Sequence, residues 1–170
     1  MSDDIKKRLN VVLVAGGKYH DIDFARLELL KLLSEDERIR TRVFEDYSNL
    51  HAIANADFLI TYTCDVRPTL EEQKVLRDYV ANGKKWLALH GTNSILQFLS
   101  DGRVDCPRVA PIFMETLGSQ FMSHPPIEPY TVTVADESHH LVEGVKPFET
   151  SDELYLMETH GDLHVLLETQ

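Results

Sequence analysis

Residues 9–17, LNVVLVAGG, decide the reading of this chain. Val11 to Ala15 are apolar without alternation, so a strand formed here is covered on both faces. It ends in two glycines. Two-sided cover is the condition of a parallel sheet with helices above and below it.

The following segments continue that pattern. A helix is predicted from about Asp23 to Ser34, with Phe24, Leu27, Leu30 and Leu33 as its apolar stripe and Leu29 widening it. Strands are predicted at 41–44 (TRVF) and 57–63 (DFLITYT). In TLEEQKVLRDYVANGKK, 69–85, Thr69 and Glu72 form a capping-box pattern. Val75, Leu76, Tyr79 and Val80 make the buried face, and Gly83 suits the C-terminal cap. KWLALH, 85–90, reads as a fourth strand, with a helix expected around Ser94 to Leu99. Alternation of strand and helix through residue 100 predicts an α/β fold, a doubly wound, mostly parallel sheet with helices on both faces.

The later part is more irregular. A loop at 100–111 precedes a short helix, PIFMETLG, and a proline-rich loop, SHPPIEP. YTVTVAD alternates like a strand, a further strand is expected within 139–158, and LHVLLE reads as one more. No repeat or low-complexity linker divides the chain, so residues 1–170 are expected to form one domain. The sequence stops at Gln170 just after an apolar strand. The expectation is that a C-terminal strand and helix of the fold lie outside it; the alternative is that the last strand is the sheet's edge.

Bulk properties exclude some functions. With 43% hydrophobic and 26% charged residues, the mixture is that of an ordinary globular domain. Seventeen basic against 28 acidic residues give a net charge of −11, which argues against a nucleic-acid binder and a polybasic membrane anchor. The apolar run at 11–15 is too short for a signal-peptide core, and no stretch approaches a membrane span. Cys64 and Cys106 are far apart and lack CxxC spacing, so neither a disulfide framework nor a cysteine zinc site follows. A cytoplasmic protein is expected.

In a parallel sheet of this kind, ligands bind at the C-terminal ends of the strands. His20 follows the first strand and His90 ends the fourth, which places both there. Histidine titrates near neutrality and ligates metals, so it suits proton transfer or metal binding. His51, His160 and His164 read as surface, edge or turn residues. Asp152 and Glu153 are adjacent before a strand, so at most one enters a given pocket. AGGKYH lacks GxGxxG, and no nucleotide cofactor is expected. GxSxG and HExxH are absent. Cys64 ends the third strand, away from the strand-to-helix elbow; a nucleophilic role there needs a nearby base and a lowered pKa.

Taken in order, several segments resemble the ThuA-like family, named for trehalose utilisation. They are YH at 19–20, TLEEQKVLRDYVANGKK at 69–85, LALHGT at 87–92, LGSQFMSHP at 117–125, ADESHHLVEGV at 135–145 and FETSDELY at 148–155. The resemblance implies a flavodoxin-like, class I glutamine amidotransferase type of fold. The amidotransferase elbow carries a cysteine where this chain has ALHGT, so glutamine amidotransfer is not expected. It also implies a site made of His20, His90, His124, His139 and Glu153, with Tyr19, Tyr155 and Asp152 beside them. His140 stands where the family has proline, which leaves open whether His139 or His140 faces inward.

The implied function is carbohydrate catabolism on a small sugar or keto-sugar derivative, by elimination, isomerisation or hydrolysis. His20, His90 and Glu153 are the expected catalytic groups. Tyr19, Tyr155, His139 and Asp152 are expected to contact substrate. A divalent metal, zinc above all, is expected on two or three of His20, His90, His124 and Glu153. Two alternatives remain: a non-catalytic ligand-binding module working as a homo-oligomer, and a Cys64-dependent hydrolase or amidotransferase relative.

Overall fold

A computed structural model describes residues 7–169. Four parallel strands form the central sheet: β1 (Leu9–Gly17), β2 (Ile39–Phe44), β3 (Phe58–Cys64) and β4 (Lys85–Leu89). Their order is β2-β1-β3-β4. The crossovers are α1 (Ile22–Ser34), α2 (Leu50–Ala54) and α3 (Leu70–Ala81). The fold is therefore the doubly wound α/β arrangement expected.

β1 explains the layering. Val12 and Val14 point to one core, with Ala52 and Ile53 of α2 and Leu76 and Tyr79 of α3. Val11, Leu13 and Ala15 point to the other, with Leu33 of α1. Period-two side-chain alternation in one strand thus feeds both cores. Gly17, at φ 109°, closes the strand, and a Cβ there would fall 1.9 Å from the Cys64 carbonyl oxygen. Only glycine allows the neighbouring strand that close.

α3 starts with the complete capping box of Thr69 and Glu72, satisfying two N–H groups that the helix itself leaves unpaired. Its buried residues are Gln73, Leu76 and Tyr79, whereas Val80 is 37% exposed. On α1 the apolar stripe is rotated from the sequence expectation. Ile22, Leu29, Leu30 and Leu33 pack inward, but Phe24 and Leu27 face solvent. Arg26 causes the rotation: its guanidinium donates to the Ala15 carbonyl at 2.8 Å, so the face carrying Arg26 must meet the sheet.

The helix expected at 94–99 does not form. After β4 the chain makes a single 3₁₀ turn, His90–Asn93. The next residues run extended because Asp65 holds them: its N–H donates to Ser94 O, and its carboxylate accepts from Leu96 N–H. Gln97–Phe98 (β5) then pairs with Val104–Asp105 (β6) in a short hairpin.

Helix α4 (Pro111–Leu117) adds Phe113 and Met114 to the α2–α3 side. The remaining strands are β7 (Ser119–Ser123), β8 (Glu128–Val134), β9 (Phe148–Asp152), β10 (Leu156–Thr159) and β11 (Leu167–Thr169). They do not extend the central sheet. β7 pairs with β10, and β8 lies between β9 and β11, all antiparallel. β11 is thus no edge of the central sheet. Gln170 lies outside the described residues. No helix among those described is long and apolar enough to cross a membrane.

Phe113 is fully buried against Tyr47 and Trp86. Phe113→Ala is expected to cost about 3–5 kcal/mol, and Phe24→Ala less than about 0.5 kcal/mol. Urea denaturation checks both; an equal loss would contradict the helix face assigned here.

Candidate functional site

The C-terminal ends of β1, β3 and β4 meet at one edge, where the strand order reverses. Three non-glycine residues with positive φ lie among the described residues: Tyr19 at 71°, Asp65 at 55° and His90 at 46°. Each directly follows one of these strands or stands within two residues of its end. Such backbone costs about 1–3 kcal/mol per residue and persists only where its surroundings enforce it.

The enforcing contacts are visible. Thr92, buried, donates to Leu89 O at 2.8 Å, and its hydroxyl sits 3.1 Å from that of Thr61. This pins the 3₁₀ turn onto β3. Gly91 has no room for a side chain, since a Cβ would meet Cys64 Cβ at 3.0 Å, Thr63 O at 3.0 Å and His20 Nε2 at 3.2 Å. The nearly buried Asp65 carboxylate joins three loops through Lys18 Nζ, Arg67 Nε and Leu96 N–H. Burial pushes its pKa up, but these donors outweigh burial and hold it below the ordinary carboxylate range.

That frame brings His20, His90 and Glu153 together. One ligand atom from each lies within 4.8 Å of the others. The two imidazoles meet edge to face at 4.5 Å between centroids. The Tyr155 and Tyr62 rings both lie nearly parallel to the His90 ring, at 4.9 and 5.9 Å between centroids. The Tyr155 hydroxyl is 3.3 Å from His90 Nε2. Glu153 follows β9, which brings it in from a separate sheet.

Glu153 faces two histidines. His90 Nε2 is 3.4 Å from one carboxylate oxygen and His124 Nε2 is 3.5 Å from the other. His124 Nδ1 lies 2.8 Å from the Pro125 carbonyl, which only accepts, so Nδ1 carries the proton. In the neutral ring Nε2 then presents its lone pair toward the carboxylate. A proton or a metal ion on that side relieves the repulsion.

Burial and then the neighbouring His90 lower the His20 pKa, while Glu153 and Asp152 raise it in part. Burial, followed by Glu153, drives the Tyr155 phenol well above its usual value; the Ser94 hydroxyl beside it works in the opposite direction. Ser94 Oγ itself is buried and makes no hydrogen bond of full geometry.

The cavity beside this cluster has a volume of about 350 Å³, and His90 is not among the residues that line it. Tyr19, His20, His124, Glu153 and Tyr155 line it. Asp152 does not; its carboxylate accepts the Glu153 N–H at 2.8 Å. The structure does not bring His139 here. It lines a different cavity, stacked on His140 at 4.6 Å and edge-on to His164 at 5.1 Å. His139 Nδ1 accepts from Leu141 N–H, capping a 3₁₀ turn. His164 pairs with Asp136 at 2.8 Å, and His51 is exposed on α2.

Cys64 lines the cavity but is almost fully buried. Burial first, then Asp65 and Glu153, push its thiol up to about 12, which leaves little thiolate near neutrality. Sequence reasoning missed Tyr62, Ser94, Phe98 and Phe121. Tyr62 had one available signal, its place near the C-terminal end of a parallel strand. The other three stand in the segment expected as helix or on β7, with no local mark of a site.

The family comparison agrees with this architecture. The ThuA family, described as trehalose utilisation, matches residues 10–170. The chain belongs to the ThuA family. A ThuA-like protein from Bacteroides uniformis aligns at a TM-score of 0.71 and 19% identity, over 96% of this chain and 69% of its own. One from Parabacteroides merdae aligns at 0.65 and 17%, over 96% and 68%. At such identities the likeness shows the fold. No curated protein matches the sequence. ThuA membership supports a carbohydrate-related role, and the family is glutamine amidotransferase-like in architecture.

In the metal-free protein His20 is expected to titrate below 6.5. The unfolded chain then binds more protons than the native one between the lowered pKa and about pH 6.5. This share of stability is full above that range and is lost as pH falls through it. NMR titration reads the pKa, and His20→Gln should flatten the corresponding fall in stability; an unaltered profile would contradict the burial argument.

Proposed function

We propose that this ThuA protein acts on a small sugar or keto-sugar derivative by acid–base chemistry at a divalent metal, most simply zinc. The observation that carries the reading is the convergence of His20, His90 and Glu153 within 4.8 Å. Two imidazoles and a carboxylate are a donor set that zinc takes in catalytic sites, with a further position left for water or substrate. Bound there, the ion would polarise a carbonyl or lower the pKa of a water.

The protein's own groups support such chemistry. His90 packs against the rings of Tyr155 and Tyr62, and its Nε2 lies 3.4 Å from the Glu153 carboxylate. His124, across the same carboxylate, offers a proton carrier or a fourth donor. The Tyr155 phenol stays protonated and donates, because its pKa is raised. The Ser94 hydroxyl adds a buried partner for a substrate oxygen. Elimination, isomerisation and hydrolysis all draw on this set. The high thiol pKa of Cys64 disfavours a cysteine nucleophile.

Isothermal titration with zinc, after chelator treatment, tests the reading. Wild type should bind one equivalent. His90→Ala and Glu153→Ala should each weaken binding by at least the roughly 10–100-fold that loss of a ligand's supporting partner costs. Cys64→Ser should bind as wild type. Turnover of keto-sugars by the zinc-loaded protein, lost in both site variants, would establish an enzyme. Unchanged zinc affinity in His90→Ala and Glu153→Ala would sink the metal site.

A further inference from the structure

Helix α1 is apolar on two sides. One side, with Ile22, Leu29, Leu30 and Leu33, packs on the central sheet. The other carries Phe24, Leu27 and Leu32, which are 62%, 51% and 58% exposed. At about 100° per residue, positions 24, 27, 28, 31 and 32 fall on one stripe, opposite the buried one. Single apolar residues on a surface need no explanation, but three aligned on one stripe form a patch of the kind that meets a partner.

The outward direction of this stripe is fixed. Arg26 donates to the Ala15 carbonyl and Leu33 is 5% exposed, so α1 cannot turn Phe24 and Leu27 inward without giving up both. Charge on the helix is balanced, with Asp23 and Glu28 against Arg26 and Lys31, in a chain whose net charge is −11. Two copies can therefore meet through α1 without the repulsion that the charge of the whole chain imposes. The charges are also ordered. Asp23 stands in the first turn and Lys31 in the last, with Glu28 between them on the exposed stripe. An antiparallel pair of such helices sets acid against base and opposes their macrodipoles favourably, whereas a parallel pair sets like against like.

We propose that the exposed stripe of α1 is a self-association surface, on which α1 of a second copy packs antiparallel about a two-fold axis. In such a contact every pairing occurs twice. One register uses both features of the stripe. It sets Leu27 against the partner's Leu32 and Glu28 against the partner's Lys31, with Phe24 resting on the partner's Leu32 from the adjacent turn. Leu27, Leu32 and Phe24 leave water, and the acid–base pairs select the antiparallel orientation. A helix of 13 residues is only about 20 Å long, too short to cover the roughly 800 Å² per partner of a standard interface. The dimer is accordingly weak and depends on protein concentration.

Sedimentation equilibrium of the full chain, from about 10 μM to about 1 mM, tests this. The weight-average mass should rise from 19.4 kDa toward twice that value. Phe24→Glu and Leu27→Glu should each weaken association about tenfold or more. Both side chains are exposed in the single chain, so circular dichroism should show the fold unchanged. Charge reversal tests the register. Glu28→Lys and Lys31→Glu should each weaken the dimer, because each sets like charges together twice, and the double reversal should restore it. The pair within one helix, Glu28 with Lys31 at 2.6 Å, is reversed in the same way and is worth little at an exposed site, so it does not account for the effect. A mass that stays at 19.4 kDa at every concentration, or association that survives both Phe24→Glu and Leu27→Glu, would overturn the proposal. A double reversal no better than the single ones would overturn the antiparallel register.

Discussion

Burial of β1 on both faces is the constraint from which the rest follows. Val11 to Ala15 are at most 2% exposed, so neither face of the strand can meet water. Helices must lie on both sides, and the parallel crossovers that carry them leave every strand's C-terminus at one edge. The order β2-β1-β3-β4 reverses direction at β1. The crevice this opens is where the cavity lies, as expected for open α/β sheets.

The edge is organised by buried polar anchors more than by apolar packing. Thr92 ties the turn after β4 to β3, and Asp65 ties the loop after β1 to the segment leading into the β5–β6 hairpin. These contacts hold His90 and Tyr19 in backbone conformations that a free peptide avoids. Strain, the unpartnered Ser94 hydroxyl and converging titratable groups coincide at this one place. Such coincidence is the usual mark of a site whose geometry has been set for a ligand at some expense of stability.

Charge is distributed with the same economy. Several acidic groups on the surface form short-range pairs such as Asp23–Arg26 and Asp36–Arg38, which are worth little individually. Glu153 differs: it is partly buried and faces imidazoles instead of a permanent cation. A carboxylate so placed is available to a proton or a metal ion in a way that an arginine-paired one is not. The second histidine group, His139, His140 and His164 with Asp136, lacks that arrangement, because its members already bond backbone or one another.

The amino-acid sequence by itself determined the central sheet, helices α1 and α3, and the candidacy of His20 and His90. Each is written in local pattern: the unbroken apolar run at 11–15, the Thr69–Glu72 cap, and histidines just past strand ends. Tertiary structure alone decided the rest. Arg26 reaching the Ala15 carbonyl turned α1 by its own contact, and Asp65 holding Leu96 kept 94–99 from forming a helix. Glu153 reaches His90 and His124, and Phe98 reaches Tyr19, across separations in sequence that no periodicity spans. His139 and Glu153 come from neighbouring segments, yet they end in different cavities, because β8 pairs with both β9 and β11 and the loops at its two ends point to different places. Local patterns record what each segment buries; which side chains meet depends on strand pairing and on buried polar anchors between distant loops.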